Sequence, residues 1–410
     1  MTAPPDPYAS LRVPDFRRFT AFLAAQTLAT MMQTVAVGWQ IYLVTRDPLA
    51  LGLVGLSEAL PFITFALPAG HLADRLDRRR LSLAALAVLA ACSAALFTVT
   101  RLGLVRPGTA GIVYAVIFVS GIARSVLQPS RTALSADLVP RALYANSITW
   151  RSSVWQSAAV VGPALGGVVV AIGGPALAYG VAAALLVLAW LALWRVSPHP
   201  HPPGQAPSAG LHELLLGIRF LLTQPVLLGA QLLDLFSVLF AGAEALLPLF
   251  ATDILHVGAA GLGVLRAAPA VGSVLMSVYQ AYRPLAGRVG RVLLVSVTLY
   301  GVCISGFGVS RSFALSTALL LVSGVFDNVS VVLRSTLLQT LTPRHLLGRV
   351  SAVNAIFIGS SNEIGGFESG VAARLLGAVP AVVLGGFVPM LVVAMIAWRV
   401  PELRRLDRVG

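Results

Sequence analysis

Long apolar runs alternate with short polar interruptions along the whole chain. In the first half the runs cover residues 19–44, 49–67, 81–100, 111–136 and 146–172, and a sixth ends near Trp194-Arg195. In the second half they cover residues 226–252, 261–279, 292–309, 313–338, 350–375 and 379–400. About 20 apolar residues, rising 1.5 Å each, cross the roughly 30 Å hydrocarbon core of a bilayer as one helix. The pattern therefore predicts an all-α membrane protein with twelve transmembrane helices. Residues 197–210 break the rhythm with Pro, His, Gly, Gln and Ser, as a linker does. Residues 211–223 follow with amphipathic spacing, Glu213 and Arg219 on one side, as expected of a helix on the inner membrane surface. The chain thus divides into a first half (1–196), a linker with its surface helix (197–223), a second half (224–400) and a polar tail (401–410).

The polar interruptions set the orientation. Gly70–Arg80 reads Gly-His-Leu-Ala-Asp-Arg-Leu-Asp-Arg-Arg-Arg, in a chain where 11% of residues are charged. Unpaired charges in lipid cost several kcal/mol each, so this stretch is expected to be a short surface turn. Every one of the 29 basic residues is Arg. Five of them (Arg46, Arg101, Arg106, Arg311 and Arg374) fall on the proposed outer side, and Arg124, Arg151 and Arg266 fall within spans. The rest lie on the side of the Gly70–Arg80 turn. Short Arg-rich loops stay in the cytoplasm, which places both termini and the linker there and the protein in the cytoplasmic membrane. Arg46-Asp47-Pro48 and Gly173-Gly174-Pro175 are then outer turns.

Composition narrows the function. At 57% hydrophobic residues and a mean hydropathy of +0.86, the apolar surface is too great for a soluble domain. The excess of 29 basic over 16 acidic residues is spread over short loops and forms no nucleic-acid patch. Without Lys there is no P-loop, so ATP is not bound that way. Cys92 and Cys303 lie inside apolar runs and read as packing residues. The six His are near loops in no ligand pattern, so neither a metal nor a cofactor is expected. Residues 1–15 are polar and Pro-rich, and the run after them is too long for a signal peptide.

The halves repeat. A shift of 203 residues lays Ser120-Gly121 on Ser323-Gly324, Arg131 on Arg334, and Leu134 on Leu337. It also lays Pro140-Arg141 on Pro343-Arg344, Leu143 on Leu346, Gly162 on Gly365, and Gly167 on Gly370. The Pro-Arg pair and both Arg of the 131/334 match are read as turn positions. Leu72-Ala73-Asp74-Arg75 has a weaker echo in Leu285-Ala286-Gly287-Arg288. Two pseudo-symmetric six-helix halves place a substrate site near the midplane.

Gly70-x-Leu72-Ala73-Asp74-Arg75-x-Asp77-Arg78-Arg79 resembles the loop 2–3 signature of the major facilitator superfamily, with Asp77 where Gly is usual. Gly162-Pro163-x-x-Gly166-Gly167 resembles the span 5 signature of proton-coupled exporters, with Ala158 where a further Gly is expected. Asp15-Phe16-Arg17 and Thr342-Pro343-Arg344 with Leu347-Gly348-Arg349 are similar to the bacterial branch holding enterobactin exporters and macrolide efflux proteins. The resemblance implies a cytoplasmic gate of Gly70, Asp74, Arg75, Arg78 and Asp137. In it Asp74 meets the N-terminus of span 11, where free backbone N–H groups favour an anion, and Arg78 pairs with Asp137. It also implies close helix packing at Gly162, Pro163, Gly166 and Gly167.

Arg124 lies about 13 residues into span 4, roughly 20 Å deep, and Asp327 holds the repeat-related place in span 10. An ionisable group at such depth is costly and points to function; a structural ion pair is the other reading. Glu58, Asp234, Glu244, Glu363 and Glu368 are the remaining carboxylates within spans. Burial in an apolar cavity favours the protonated form of a carboxylate, so each suits proton coupling, and each suits helix packing as well. The expected function is secondary export of a small organic molecule of drug or siderophore type, by alternating access with proton antiport. The chain is expected to act as a monomer in the lipid bilayer. An importer or facilitator of the same fold is the alternative, ahead of a membrane-embedded enzyme or a non-transporting sensor.

Overall fold

The computed structural model describes residues 6–198, 211–283, 287–344 and 346–407. His199 and His201 of the linker lie outside the described residues, as do the side chains of Asp74, Arg75, Glu213 and Glu363. Among the described residues every regular element is helical. The first five helices are α1 (Pro14–Thr45), α2 (Pro48–Arg75), α3 (Arg78–Arg101), α4 (Gly111–Asp137) and α5 (Tyr144–Trp194). The amphipathic segment forms α6 (Leu211–Thr223). Then come α7 (Pro225–Phe240), α8 (Gly258–Tyr282), α9 (Val289–Val309), α10 (Phe313–Leu341), α11 (Leu347–Leu376) and α12 (Ala378–Arg399).

Among the described residues, ten helical stretches are long and apolar enough to cross a membrane. One of them, Arg141–Trp194, is two limbs meeting at Gly174, whose φ of 72° and ψ of −179° interrupt α5. The turn expected at Gly173-Gly174-Pro175 is thus a break of one residue between the two limbs. Glycine alone adopts that backbone geometry without strain, and Pro175 is pre-set to start the second limb. The 30-residue α11 is long enough to cross but carries Asn354, Asn362, Glu363 and Glu368 along its length. Counted with the two α5 limbs, it brings the described residues to twelve rods.

Two further expectations change. Most of Gly70–Arg80 is helix, since α2 runs on to Arg75 and only Leu76 and Asp77 separate it from α3. Polarity marks where the bilayer ends, and a helix can continue into water beyond it. Asp77, the departure from the superfamily pattern, is the N-cap of α3 and accepts from the backbone N–H groups of Arg79 (2.8 Å) and Arg80 (3.1 Å). It satisfies two of the donors that a first helical turn leaves open. The seventh span, expected unbroken to Thr252, stops at Phe240. Ala241 and Gly242 leave the helix, a 3-10 turn follows at Ala243–Leu246, and a π-helical turn closes the segment at Phe250–Ile254. Neighbouring glycines press on this break. A Cβ at Gly365 would meet the Val238 and Leu239 carbonyls, and one at Gly385 the Phe240 carbonyl. Irregular backbone at membrane depth is tolerated where protein covers it.

The chain forms two compact units, Met1–Gln40 with Leu60–Ser208, and Ile41–Ala59 with Ala209–Gly410. In the first unit Phe16, Phe19 and Phe22 of α1 pack with Leu86, Leu89, Leu127, Leu186 and Leu193 of α3, α4 and α5. Three buried glutamines sit seven residues apart on one face of α1. Gln26 accepts from Arg131 (2.6 Å), Gln33 from Ser93 (2.5 Å), and Gln40 from Tyr179 (2.8 Å) while donating to Thr100 (3.0 Å). Such side-chain bonds tie helices together where lipid supplies no hydrophobic drive between them. The same helix also takes the small residues of α5. A Cβ on Gly162 would press on Met31, and one on Gly166 would meet the Met32 backbone at 3.0 Å.

In the second unit α8 and α10 come nearly backbone to backbone, since Cβ atoms at Gly272 and Gly324 would run into the carbonyls of Leu321 and Pro269. Ser273 Oγ seals the contact by donating to the Gly324 carbonyl (3.0 Å). Residues 41–59 belong to this unit and meet its helices through charge. Asp47 pairs with Arg374 (2.6 Å), Arg46 pairs with Asp253 (2.9 Å), and Tyr42 donates to Asp253. Gly52 lies on α11, where a Cβ would meet the Phe367 carbonyl at 3.0 Å.

Candidate functional site

Within the second unit, polar side chains from three helices converge on one small cavity. Asp234 and Ser237 come from α7, Val297 and Tyr300 from α9, and Asp327, Ser330 and Arg334 from α10. Its volume of about 10 Å³ has room for a single water. Arg334 and Asp234, 7% and 8% exposed, form an ion pair there. Arg334 Nε also donates to the Ser330 carbonyl one turn back (3.2 Å). Asp327 is half-buried and has no hydrogen bond or ion pair among the described residues. The charge of Glu244 acts on it, and both carboxylates act on Tyr300. Glu244 stands in the broken segment after α7.

Arg334 corrects the turn reading. It lies within α10, seven residues before the end, and Arg131 lies within α4, six residues before the end. Both are interior residues of their units. Counting Arg near loops assigned them to the surface, and only the partner across the helix pair, Asp234 or Gln26, reveals their place.

The first unit holds arginines with neutral partners. Arg131 bonds Gln26, and Arg151 of α5 bonds Ser135 of α4 (2.7 Å). The charges acting on Arg131 are those of Arg151 and Arg124. Arg124, which has an interaction of its own, stands two helical turns from Arg131 on the same face of α4. Sequence reasoning singled out Arg124 and missed Arg131, Arg151 and Gln26. Two signals were available, the seven-residue spacing of Gln26, Gln33 and Gln40 and the same spacing from Arg124 to Arg131.

At the α2–α3 connection the structure brings Arg78 and Asp137 together (2.7 Å), both partly exposed. Arg79 donates to the carbonyl of Trp194. Gly70 has open space where a Cβ would be, and the side chains of Asp74 and Arg75 are outside the described residues. Among the other carboxylates, Glu58 on α2 is engaged with a partner. Glu368 on α11 is half-buried without a hydrogen bond among the described residues. No arrangement of nucleophile, base and orienting group appears among these residues. What they offer is charge that can be exchanged or shared.

Residues 5–409 match the family described as transmembrane secretion effector. The chain is 29% identical over 374 residues to an enterobactin exporter, EntS, of Citrobacter koseri, covering 90% of this chain and 88% of that one. The same protein of Escherichia coli is 28% identical over the same shares. Among solved structures, the nucleoside transporter NupG superposes with a TM-score of 0.74 at 12% identity, over 94% of this chain and 100% of that one. A POT family transporter does so with a TM-score of 0.73 at 11% identity, over 95% and 96%.

Proposed function

The chain belongs to the transmembrane secretion effector family of major facilitator transporters, and on that premise we propose that it exports a small organic molecule by alternating access, driven by proton entry. It is a multi-pass membrane transporter, and its relatives over 90% of its length are named as exporters of enterobactin. That likeness is the observation that carries the reading. A siderophore or a drug-like molecule is the proposed cargo, and the Arg bias supports cytoplasmic termini.

The proton site we propose is Asp327. Asp234 is held by Arg334, whereas Asp327 borders the same cavity without a pair and can gain or lose a proton without breaking one. Glu58, Glu244, Glu363 and Glu368 are the other candidates on their helices. Arg124, at the repeat-related place, is proposed to meet the substrate. Gly70, Asp74, Arg75, Arg78 and Asp137 are proposed as the inner gate, whose charged contacts close it while the outer side is open.

The test uses everted membrane vesicles carrying the full chain, with enterobactin and ethidium as probes and an imposed pH gradient. Accumulation inside the vesicles when the lumen is acid, abolished by nigericin, is the expected result. Asp327→Asn should insert normally and lose the acceleration by the gradient. Transport indifferent to the gradient, or movement only out of the vesicles, would sink the reading.

A further inference from the structure

We propose that Arg131 and Arg151, with Gln26 and Ser135 positioning them, form a binding site for an ionised oxygen group of a soluble organic anion. The inference rests on the exporter reading and names the charge class of its cargo.

The first observation is a shortage of acids. From Arg78 to Pro198 the sole acidic residue is Asp137, and it is paired with Arg78. In α1 the sole acid is Asp15, paired with Arg18 (2.8 Å). Among the described residues no acid pairs with Arg131 or Arg151. Each is half-buried and makes one side-chain bond, to a neutral amide oxygen and to a neutral hydroxyl respectively.

The second observation concerns spare donors. A guanidinium carries five N–H donors and no acceptor. Neither Arg131 nor Arg151 contributes a fully buried nitrogen without a partner, and both side chains are half-buried, so the donors that no protein oxygen takes up keep contact with solvent. Like charges held side by side repel, and the charges on Arg131 are two further arginines. An anion bound between them removes that repulsion and takes up the donors in one step. Carboxylate, phenolate and phosphate oxygens all match the fork of a guanidinium.

The repeat provides an internal control. Arg131 and Arg334 are equivalent by the shift of 203, and each bonds a side chain on the first long helix of its half. In the second half that partner is Asp234, so Arg334 is neutralised by the protein. In the first half it is Gln26, so Arg131 is positioned at 2.6 Å but keeps its charge. The second half shows that this architecture can hold a counter-charge at the equivalent place.

An ionised oxygen could come from a dissolved molecule or from a phospholipid headgroup, and the experiment separates the two. The full chain is purified in a neutral detergent. Carboxyfluorescein binding is followed by fluorescence anisotropy, with salicylate as competitor and the cation rhodamine 6G as contrast. Saturable carboxyfluorescein binding, displaced by salicylate, is expected. Arg131→Gln and Arg151→Gln should each weaken it by about tenfold, the loss of one charge-assisted contact, while Arg131→Lys retains most of it. Rhodamine 6G should be indifferent to all three, and unfolding temperatures verify that the variants are folded.

Absence of anion binding by the unmodified protein, or equal binding by folded Gln variants, overturns the proposal. So does a result in which only nanodiscs containing phosphatidylglycerol compete. Because binding needs no pH gradient, the exporter reading survives any of these outcomes if gradient-driven transport persists. It fails by itself if binding is found without transport.

Discussion

The two halves place an arginine at the same repeat position and treat its charge in opposite ways. Arg334 is buried against Asp234, with Asp327 on the same small cavity and Glu244 acting on it. Arg131 is bonded to Gln26 and surrounded by Arg124 and Arg151. Arg334 is neutralised by an acid, whereas Arg131 and Arg151 bond a neutral amide and a neutral hydroxyl. Packing symmetry therefore does not carry charge symmetry with it. The choice of one side chain on α1 or α7 decides whether the arginine beside it is neutralised by the protein.

The largest effect that would test this contrast is on stability. Asp234→Asn strands Arg334, and Arg334→Gln strands Asp234. Breaking a buried pair from one side costs about 3–5 kcal/mol, so each single variant should unfold at a clearly lower temperature in detergent. The double variant should recover most of the loss, because two neutral groups need no partner charge. Gln26→Ala in the other half should cost only about 1 kcal/mol, the value of one hydrogen bond. If it costs as much as Asp234→Asn, the two arginines are structural alike and the contrast collapses.

A second variant converts one half into the other. Gln26→Asp gives Arg131 the partner that Arg334 already has. It should lower carboxyfluorescein affinity by about tenfold, matching Arg131→Gln, without lowering the unfolding temperature as Asp234→Asn does. Unchanged affinity would mean that the charge on Arg131 is not what the anion meets.

The smallest effect concerns the α2–α3 connection, whose second-half counterpart has Gly287 where the first has Asp74. Asp77→Ala removes two cap bonds and should cost about 1 kcal/mol. Arg78→Gln should cost no more than about 1 kcal/mol, since the pair with Asp137 is partly exposed. Thermal unfolding checks both. A loss of several kcal/mol from either would show that this connection braces the fold as a whole.

Much of the fold was legible because hydropathy is a property of single residues. Apolar runs fixed where helices cross, and the amphipathic spacing of residues 211–223 marked α6 to both its ends. The break at Gly174 was legible in Gly173-Gly174-Pro175, whereas the Ala241–Gly242 interruption was not, because Gly365 and Gly385, which press on it, are remote from it in sequence. The site was read unevenly for the same reason. Deep charges such as Arg124 and Asp327 stand out within apolar runs, and the Arg78–Asp137 contact came with the superfamily resemblance. Arg131 and Arg334 lie near helix ends, where a count of loop charges claims them, and the pairing that moves them inside crosses between helices.

The glutamines of α1 act as a length gauge. Their oxygens stand at multiples of seven residues, and each meets a donor fixed on a different helix: Arg131 on α4, Ser93 on α3, Tyr179 on α5. Sliding α1 by a single turn, about 5.4 Å, would miss all three at once, so the helix has one admissible height within its unit. None of the three amides titrates. The height of α1 within its unit is accordingly set, on the α1 side, by neutral amides and not by a carboxylate that a proton could discharge.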